Sequence, residues 1–352
     1  MSRSIRDSAP FEIAGTTVDP GIRRTVEVPI SRFSDHTPVT MSVHVVHGRR
    51  RGPVLFVSAA VHGDEVLGVE VVRRLLRAPG LRSLRGTLLA APIVNAFGLI
   101  NHSRYLPDRR DLNRSFPGSP TGSLAARLAH LFMEEVVARS DFGIDLHSAA
   151  IHRTNLPQIR VSPSKPATLR LASAFGAPVI LKSQVRDGSM RKAAQERGVD
   201  VLVYEAGEAL RFDEMSIRAG VSGCLRVMRE LDMVPARGVR KPRVVSLVSS
   251  GSVWVRAPEG GLTRLFRNQG DVVSAGMLLG MVSDPFGDSE HEIPSPVDGL
   301  IIGRSNLPVV NEGDALFHIA SVGHPQADVE GTLESLTAQL VEDPLFDEDE
   351  IL

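Results

Sequence analysis

The chain has 352 residues, of which 42% are hydrophobic and 23% are charged, and its formal net charge is −1. A chain of this length can bury one large core and one smaller core, which favours two domains. A near-neutral chain lacks the basic surface that displaces counterions from nucleic acid, so we expect no nucleic-acid partner.

The N-terminal segment predicts neither a targeting signal nor a membrane anchor. Residues 1–17 lack the apolar core of a signal peptide, and no run in the sequence reaches the ~18 apolar residues that cross a membrane. We therefore expect a cytoplasmic protein with no membrane partner. Further along, apolar and polar residues alternate over 25–30 and 39–45, which predicts an antiparallel pair of strands.

From residue 53 apolar runs alternate with amphipathic stretches, a pattern typical of βαβ units around a largely parallel sheet. The predicted strands cover residues 54–61, 87–94, 142–147, 178–181 and 201–205. The predicted helices cover residues 65–77, 123–138, 167–175, 190–197 and 214–231. Between them, residues 95–122 show no clear period, and a loop of that length in a compact domain is usually functional. Cys224, the one cysteine, excludes an internal disulfide and is expected to be a buried small side chain.

Beyond residue 237 the pattern changes to short strands with Gly and Pro turns. Residues 255–273 and 293–315 resemble one another, and the repeat resembles the two halves of a biotinyl/lipoyl-type β sandwich. Those carriers are modified on a lysine, whereas no lysine follows Lys241, so a carrier role is excluded. The chain ends in a predicted short helix over 333–341 and an acidic run over 347–350, which is typical of a solvated tail.

These patterns predict the α/β fold class, with a mixed, largely parallel sheet flanked by helices and a smaller C-terminal β sandwich. We expect four segments. They are an N-terminal β-rich segment over 1–50, a catalytic domain over 51–237, a β-rich domain over 238–322 and a flexible acidic tail over 323–352.

His62 and Glu65 follow the first apolar run, where the chain turns into a predicted helix. Residues three apart share a helical face, so both side chains can point at one ion, although the pair alone fits a solvated turn equally well. Three further motifs fall at predicted strand ends and in the long loop, where open α/β sheets bind ligands. They are Arg104 with Asp111-Leu112-Asn113-Arg114, then Asp145-Leu146-His147, then Tyr204-Glu205-Ala206-Gly207.

Two histidines and a glutamate with an open fourth position form a ligand set typical of catalytic zinc. Zinc lowers the pKa of a bound water to about 7, which supplies a nucleophile at neutral pH. A hydrolase also needs a base that is not a ligand, and a group that stabilises the oxyanion. Glu205, at the end of an apolar strand, suits the first role, and Arg104 suits the second.

This ordered set of motifs resembles the succinylglutamate desuccinylase/aspartoacylase family, a branch of the zinc carboxypeptidase fold. The resemblance spans roughly residues 53–320. It implies one Zn²⁺ per chain, held by His62, Glu65 and His147. It also implies that Glu205 is the general base that takes a proton from the zinc-activated water.

The same resemblance assigns roles to the loop residues. Asp111 would accept a hydrogen bond from the far nitrogen of His62, which fixes the tautomer of the imidazole. Asn113 and Arg114 would hold the substrate carboxylate, and Arg104 would polarise the scissile carbonyl.

The roles of five other residues stay open at this stage. The spacing from Arg104 to Asp111 is longer than in aspartoacylase itself, and it brings in Arg109 and Arg110, either of which could compete for the oxyanion role. Asp145 fits a contact to His147 or a structural role equally well. His102 and His152 belong to no motif, and we treat them as bystanders.

The expected function is zinc-dependent removal of an acyl group, acetyl or succinyl, from a small N-acyl amino acid. A zinc carboxypeptidase acting on peptide C-termini is the alternative, because both enzymes break an amide beside a carboxylate. A C-terminal β domain that narrows the entrance favours the deacylase. A third hypothesis, an inactive binding protein, is disfavoured because such a protein needs no base. The acyl group, the amino acid and the assembly of the chain into homo-oligomers remain undetermined.

Overall fold

The computed structural model describes residues 8–162, 166–242 and 245–321, together with positions 331, 334, 335 and 338. The predicted helix over 333–341 and the predicted tail over 323–352 lie outside the described residues, apart from those four positions. No helix in the described part of the chain is long and apolar enough to cross a membrane.

Strands and helices are numbered separately along the chain. The strands are β1 Phe11–Ile13, β2 Thr16–Val18, β3 Arg23–Arg32, β4 Pro38–His47, β5 Arg50–Ala59, β6 Arg85–Ala91, β7 Phe142–Ala149, β8 Arg153–Val161, β9 Val179–Lys182, β10 Asp200–Glu208, β11 Leu247–Ser249, β12 Ser252–Arg256, β13 Gly261–Leu265, β14 Val272–Val273, β15 Leu278–Ser283, β16 Glu290–Pro294, β17 Gly299–Ser305, β18 Val309–Val310 and β19 Ala315–Ala320. The helices are α1 Leu67–Leu75, α2 Ala96–Ile100, α3 Leu124–Glu135, α4 Pro166–Phe175, α5 Met190–Glu196 and α6 Glu214–Glu230.

The predicted helices and the N-terminal strand pair are confirmed. Each of the five predicted helices is present with small shifts at its ends, and β3 pairs with β4 antiparallel. Three of these helices are capped at their N-terminus by a serine or an aspartate. The side chains of Ser123, Ser189 and Asp213 each accept a hydrogen bond from a backbone N–H of the first turn. No sequence pattern predicted β1, β2, β8 or α2.

The main sheet is mixed, as expected. Strands β5, β6, β7 and β10 run parallel in its centre, in the order β10, β7, β5, β6. Strands β4 and β3 extend one side antiparallel, and β8 extends the other. The carboxyl ends of the central strands therefore meet along one edge of the sheet, where the predicted motifs fall.

Helices cover both faces of the central strands. Leu55 and Val57 of β5 face the core that includes residues of α1, α4 and α6, whereas Phe56 faces a second core with residues of α3 and α5. All three side chains are fully buried. Burial on both faces explains why this run carries almost no polar side chain.

The C-terminal strands continue the main sheet instead of standing apart from it. Strand β17 pairs antiparallel with β8, and β19 and β12 follow it. A four-stranded sheet of β16, β15, β13 and β18 contributes to a shared core that contains Leu316, Phe317 and Ile319. The main sheet therefore continues past the expected boundary near residue 237, because β17 pairs with the edge of β8.

Strand β8 contains a bulge beside the site. Gln158 pairs with Glu205 and Asn155 pairs with Gly207, so three steps of β8 (158 − 155) match two steps of β10 (207 − 205). The extra residue falls where Pro157 lacks an N–H to donate. As a result Asn155 and Arg160, five positions apart, lie on the face of the sheet that carries Glu205.

Candidate metal centre and active site

His62 and Glu65 lie in a tight turn directly after β5. Ala60 takes a left-handed conformation with φ 48°, and the N–H of Glu65 donates to the carbonyl of His62 over 3.1 Å. The predicted start of the helix at Glu65 is therefore wrong, because residues 62–66 form a turn and α1 begins at Leu67. The turn itself places the two side chains together.

Two imidazoles and one carboxylate converge beside this turn, because His147 of β7 lies next to it. Glu65 bridges the histidines, with Oε1 2.6 Å from Nδ1 of His62 and Oε2 2.7 Å from Nδ1 of His147. One ligand atom from each of the three residues lies within 4.8 Å of the others, and each residue is at most 3% exposed. This geometry could hold a single metal ion.

The outer nitrogen of each histidine contacts an aspartate. Nε2 of His62 lies 3.2 Å from Asp111, and Nε2 of His147 lies 2.6 Å from Asp145. Ser58 donates to the other oxygen of Asp145 over 2.8 Å, which fixes that carboxylate. An imidazole that donates from Nε2 keeps its Nδ1 lone pair free for a metal, so the donor set fits zinc.

The carboxylates give this centre a field that stabilises positive charge. Burial alone raises the pKa of Glu65, but the charges of His62 and His147 lower it well below its ordinary value. Burial opposes protonation of both imidazoles, yet Glu65 and the two aspartates outweigh that effect and raise the pKa of each histidine. A divalent cation matches such a field.

Arg104 reaches the same centre from the loop after α2. Its Nη1 lies 3.3 Å from Glu65 Oε1, and its Nη2 lies 3.0 Å from Asp111 Oδ2. Arg109 and Arg110 do not line the cavity, and the Arg110 side chain is 63% exposed and paired with Asp108. Arg104 therefore contacts a candidate ligand, whereas Arg109 and Arg110 lie outside the cavity.

Asn113 and Arg114 lie at the cavity wall. The side-chain oxygen of Asn113 accepts from the N–H of Met190 over 2.9 Å, so the loop is joined to the first residue of α5. Arg114 Nη1 donates to the carbonyl of Asn113 over 2.5 Å. Both side chains line the cavity, whereas the expected bystanders His102 and His152 do not.

Glu205 stands beside the metal centre on the neighbouring parallel strand. It is the ladder partner of His147, so the two side chains leave the same face at the same height. Asn155 donates to its Oε2 over 3.2 Å, and Arg160 Nη1 lies 3.3 Å from its Oε1. In the described part of the chain its carboxylate makes no hydrogen bond or ion pair with the three candidate ligands, which leaves it available as a base.

A cavity of about 490 Å³ joins these groups. Its wall includes residues that the sequence analysis missed, namely Arg153, Asn155, Arg160, Arg186, Arg191 and Trp254. Their sequence signals were weak, because Pro157 interrupts the strand pattern of β8 and because Trp254 lies on a strand that is distant in the sequence.

The C-terminal strands contribute an aromatic stack to the cavity. The Trp254 ring lies parallel to His318 at 4.1 Å, and the Arg153 guanidinium lies 5.7 Å from the indole centroid. Burial, together with the charges of Arg160 and Arg186, lowers the pKa of His318 to about 3, so this imidazole is neutral.

Cys224 has no place in this chemistry. It is fully buried on α6, and burial raises the pKa of its thiol to about 12. A protonated thiol of that kind is a poor nucleophile, so the expectation of a buried small side chain is confirmed.

Known proteins resemble this chain in sequence and in fold. A curated relative, the N-alpha-acetyl-L-2,4-diaminobutyric acid deacetylase of Halomonas elongata, is 27% identical over 314 residues, which cover 84% of this chain and 90% of the relative. The crystal structure of a succinylglutamate desuccinylase/aspartoacylase from Rhodobacter sphaeroides matches with a TM-score of 0.77 and 24% identity, over 90% of this chain and 99% of that one.

Two further comparisons agree. The product-bound ectoine utilization protein EutE (DoeB) of Ruegeria pomeroyi matches with a TM-score of 0.78 and 23% identity, over 89% of this chain and 98% of that one. The family model for the succinylglutamate desuccinylase/aspartoacylase catalytic domain matches residues 51–231, which contain every ligand and base candidate above. The chain therefore belongs to the succinylglutamate desuccinylase/aspartoacylase family.

Proposed function

We propose that the protein is a zinc-dependent amidohydrolase that removes an acyl group from a small N-acyl amino acid. The observation that carries the proposal is the buried convergence of His62, Glu65 and His147 beside a glutamate that is no ligand. The deacetylase activity named for the Halomonas relative supports it.

His62, Glu65 and His147 would hold the ion. Bound there, zinc would act as a Lewis acid toward the scissile carbonyl and lower the pKa of a coordinated water to about 7. Asp111 and Asp145 would hold the two imidazoles in the tautomer that presents Nδ1. We propose one ion per chain.

The remaining steps belong to side chains of the cavity. Asn113 and Arg114 would bind the substrate carboxylate, and Arg104 would donate to the carbonyl oxygen as negative charge develops there. Glu205 would take the proton of the attacking water and pass it to the leaving nitrogen as the C–N bond breaks. The products are a free carboxylate and a free amino acid.

The shape of the cavity supports a deacylase over a carboxypeptidase. Trp254 lies on β12, the edge strand of the main sheet, and forms part of the wall. A cavity of about 490 Å³ suits a small molecule. We propose that the strands after residue 237 serve as this wall and form a carrier-type β sandwich that has lost the carrier function.

A substrate panel tests the proposal. We expect about one zinc per purified chain and release of carboxylate from acetylated or succinylated amino acids. Glu205→Gln should keep the zinc and lose about 10²- to 10⁴-fold in kcat, because it removes the base but no ligand. Turnover of free-carboxyl peptides with none of the acyl amino acids would instead establish a carboxypeptidase.

A further inference from the structure

A side-chain amide on β8 holds one oxygen of Glu205. Nδ2 of Asn155 donates to Oε2 of Glu205 over 3.2 Å, and both side chains line the cavity. An ionised carboxylate only accepts hydrogen bonds, so the NH₂ group of Asn155 faces Glu205 and its Oδ1 points away from it. The orientation of the proposed base therefore depends on where the Asn155 amide lies.

Gly303 of β17 lies on the far side of that amide. It pairs with Asn155 in the ladder between β17 and β8, and with His318 in the ladder between β17 and β19. A β-carbon at Gly303 would lie 2.7 Å from Oδ1 of Asn155, which is too close for two atoms that are not bonded. The next nearest atoms, the β-carbon of His318 and the carbonyl oxygen of Thr154, would each be 3.5 Å away, at ordinary contact distance. The amide of Asn155 thus occupies the space that a side chain at position 303 would need.

The backbone at Gly303 does not itself require glycine. Gly303 does not adopt the positive φ that other residue types avoid. Glycine in the interior of a strand also weakens the strand, because it offers no side chain to pack. Room for the Asn155 amide is therefore the reason that the structure gives for a glycine at this position.

Two bulges in neighbouring strands bring this pair together. Strand β17 has one extra residue, Ile302, relative to β19, and strand β8 has the bulge at Pro157. The first bulge places Gly303, and not the larger Ile302, opposite β19, and the second turns Asn155 toward the face of Glu205. Bulges beside active sites commonly re-aim a side chain in this way.

We propose that Gly303 is a positioning residue for the proposed base. Because position 303 has no side chain, Asn155 can hold Glu205, so strand β17 takes part in catalysis without contacting the substrate. This inference rests on the proposed deacylase function. It gives the C-terminal strands a role in the chemical step in addition to their role as a wall of the cavity.

The first test is Gly303→Ala in the zinc-loaded protein. The added methyl group conflicts with the end of a side chain and not with backbone, so the chain should fold and the amide of Asn155 should move. Glu205 then loses a donor. We expect kcat to fall about 10-fold with little change in KM or zinc content, because no substrate contact and no ligand is altered. An unchanged kcat would overturn the inference.

Gly299→Ala is the matched control on the same strand. Its β-carbon would lie 2.4 Å from the carbonyl oxygen of Ala320, which is backbone of β19 and cannot turn aside. This variant should lower the free energy of unfolding more than Gly303→Ala does, yet keep the kcat of the parent under conditions where it is folded. An equal loss of kcat in the two variants would overturn the inference, since the loss would then come from disturbance of β17.

The double variant Asn155→Ala/Gly303→Ala shows whether Gly303 acts through Asn155. Without the amide, a methyl group at position 303 meets no conflict, so the double variant should have the kcat of Asn155→Ala alone. Two losses that multiply would overturn the inference. If Gly303→Ala does not fold, the double variant still decides: folding of the double variant would support a conflict with Asn155, and its failure to fold would contradict one.

Crystal structures of the parent and of Gly303→Ala separate this inference from the proposed function. An Asn155 amide that has moved out of hydrogen-bond distance of Glu205 would support the inference, and a retained hydrogen bond would overturn it, whatever the activity. If the parent hydrolyses free-carboxyl peptides and no acyl amino acid, the proposed function fails, and the same variants assayed with those peptides decide the inference alone. If the parent hydrolyses neither class, both proposals fail.

Discussion

Asn155 donates a hydrogen bond from its side-chain amide to Oε2 of Glu205, joining β8 to β10 across 3.2 Å. Gly303 of β17 pairs with Asn155 on its other side and lies so close that an added β-carbon would be 2.7 Å from Asn155 Oδ1. The C-terminal part of the chain therefore packs directly against the residue that orients the proposed base.

Replacing Asn155 should impair catalysis more than metal binding. Asn155→Ala leaves one oxygen of Glu205 without its donor, so the carboxylate loses its fixed orientation. We expect kcat to fall about 10-fold or more while zinc content and KM change little. Steady-state kinetics and metal analysis check this.

The matched control is Asn306→Ala. Asn306 also bonds β8 and β10, to Thr154 and Glu208, but not to Glu205. If both variants lose the same activity, the effect comes from strand pairing and not from the base.

A second prediction concerns Asp145, which accepts from Nε2 of His147 over 2.6 Å. Asp145→Asn removes the charge that holds the imidazole in the metal-binding tautomer. We expect zinc affinity to fall about 10- to 100-fold, with activity recovered at high zinc. Competition with a chelator measures the affinity.

Asp141→Asn is the control for that change. Asp141 precedes the same strand at its other end, where its carboxylate accepts from the N–H of Val54. It should alter stability without altering zinc affinity. Unchanged zinc affinity in Asp145→Asn would show that Asp145 has no role in metal binding.

A third prediction tests the packing of the ligand turn. A β-carbon on Gly63 would lie 1.9 Å from the carbonyl carbon of Gly98, which is backbone of α2 and cannot yield as a side chain would. Gly63→Ala should therefore destabilise the fold by about 1–3 kcal/mol or more and displace the neighbouring ligands. Chemical unfolding and zinc content measure both effects.

Gly251→Ala makes the corresponding change in open space, since no atom lies within 4 Å of its β-carbon. It should change the free energy of unfolding by no more than about 0.5 kcal/mol. Equal stability of the two variants would contradict the close approach of Gly63 and Gly98.

The central strands were predictable from local patterns, which also place His62, His147 and Glu205 at strand ends. The mostly apolar runs that lead to His62, His147 and Glu205 lie between two layers of helices, and parallel strands bring their carboxyl ends to one edge. Asn155 and Trp254 were not predictable in this way. Their positions depend on the β8 bulge and on the pairing of β8 with β17, two contacts between distant parts of the chain that leave no periodic signal.

The family resemblance resolved what spacing alone left open. His62 and Glu65 three apart fit many turns, and the helix expected to hold them starts only at Leu67. The contact from Asp145 to His147 was not predictable from the sequence, because a residue two positions away on a strand shares a face without having to touch.

The last prediction concerns stability in acid. His318 is 4% exposed, and burial with the charges of Arg160 and Arg186 lowers its pKa to about 3, whereas an unfolded histidine titrates near 6.5. Below pH ~6.5 the unfolded chain takes up this proton and the folded chain does not, so His318 destabilises the fold increasingly as pH falls toward 3.

His318→Phe keeps a ring against Trp254 but removes the titration. Between pH 6.5 and pH 5 the free energy of unfolding should fall in both proteins, and the fall should be about 2 kcal/mol smaller in the variant than in the parent. At pH 7 the variant should be the less stable of the two, because it lacks the hydrogen bond between His318 and Ser252. Urea unfolding at the two pH values gives both differences, and identical drops would mean that His318 is protonated in the folded protein.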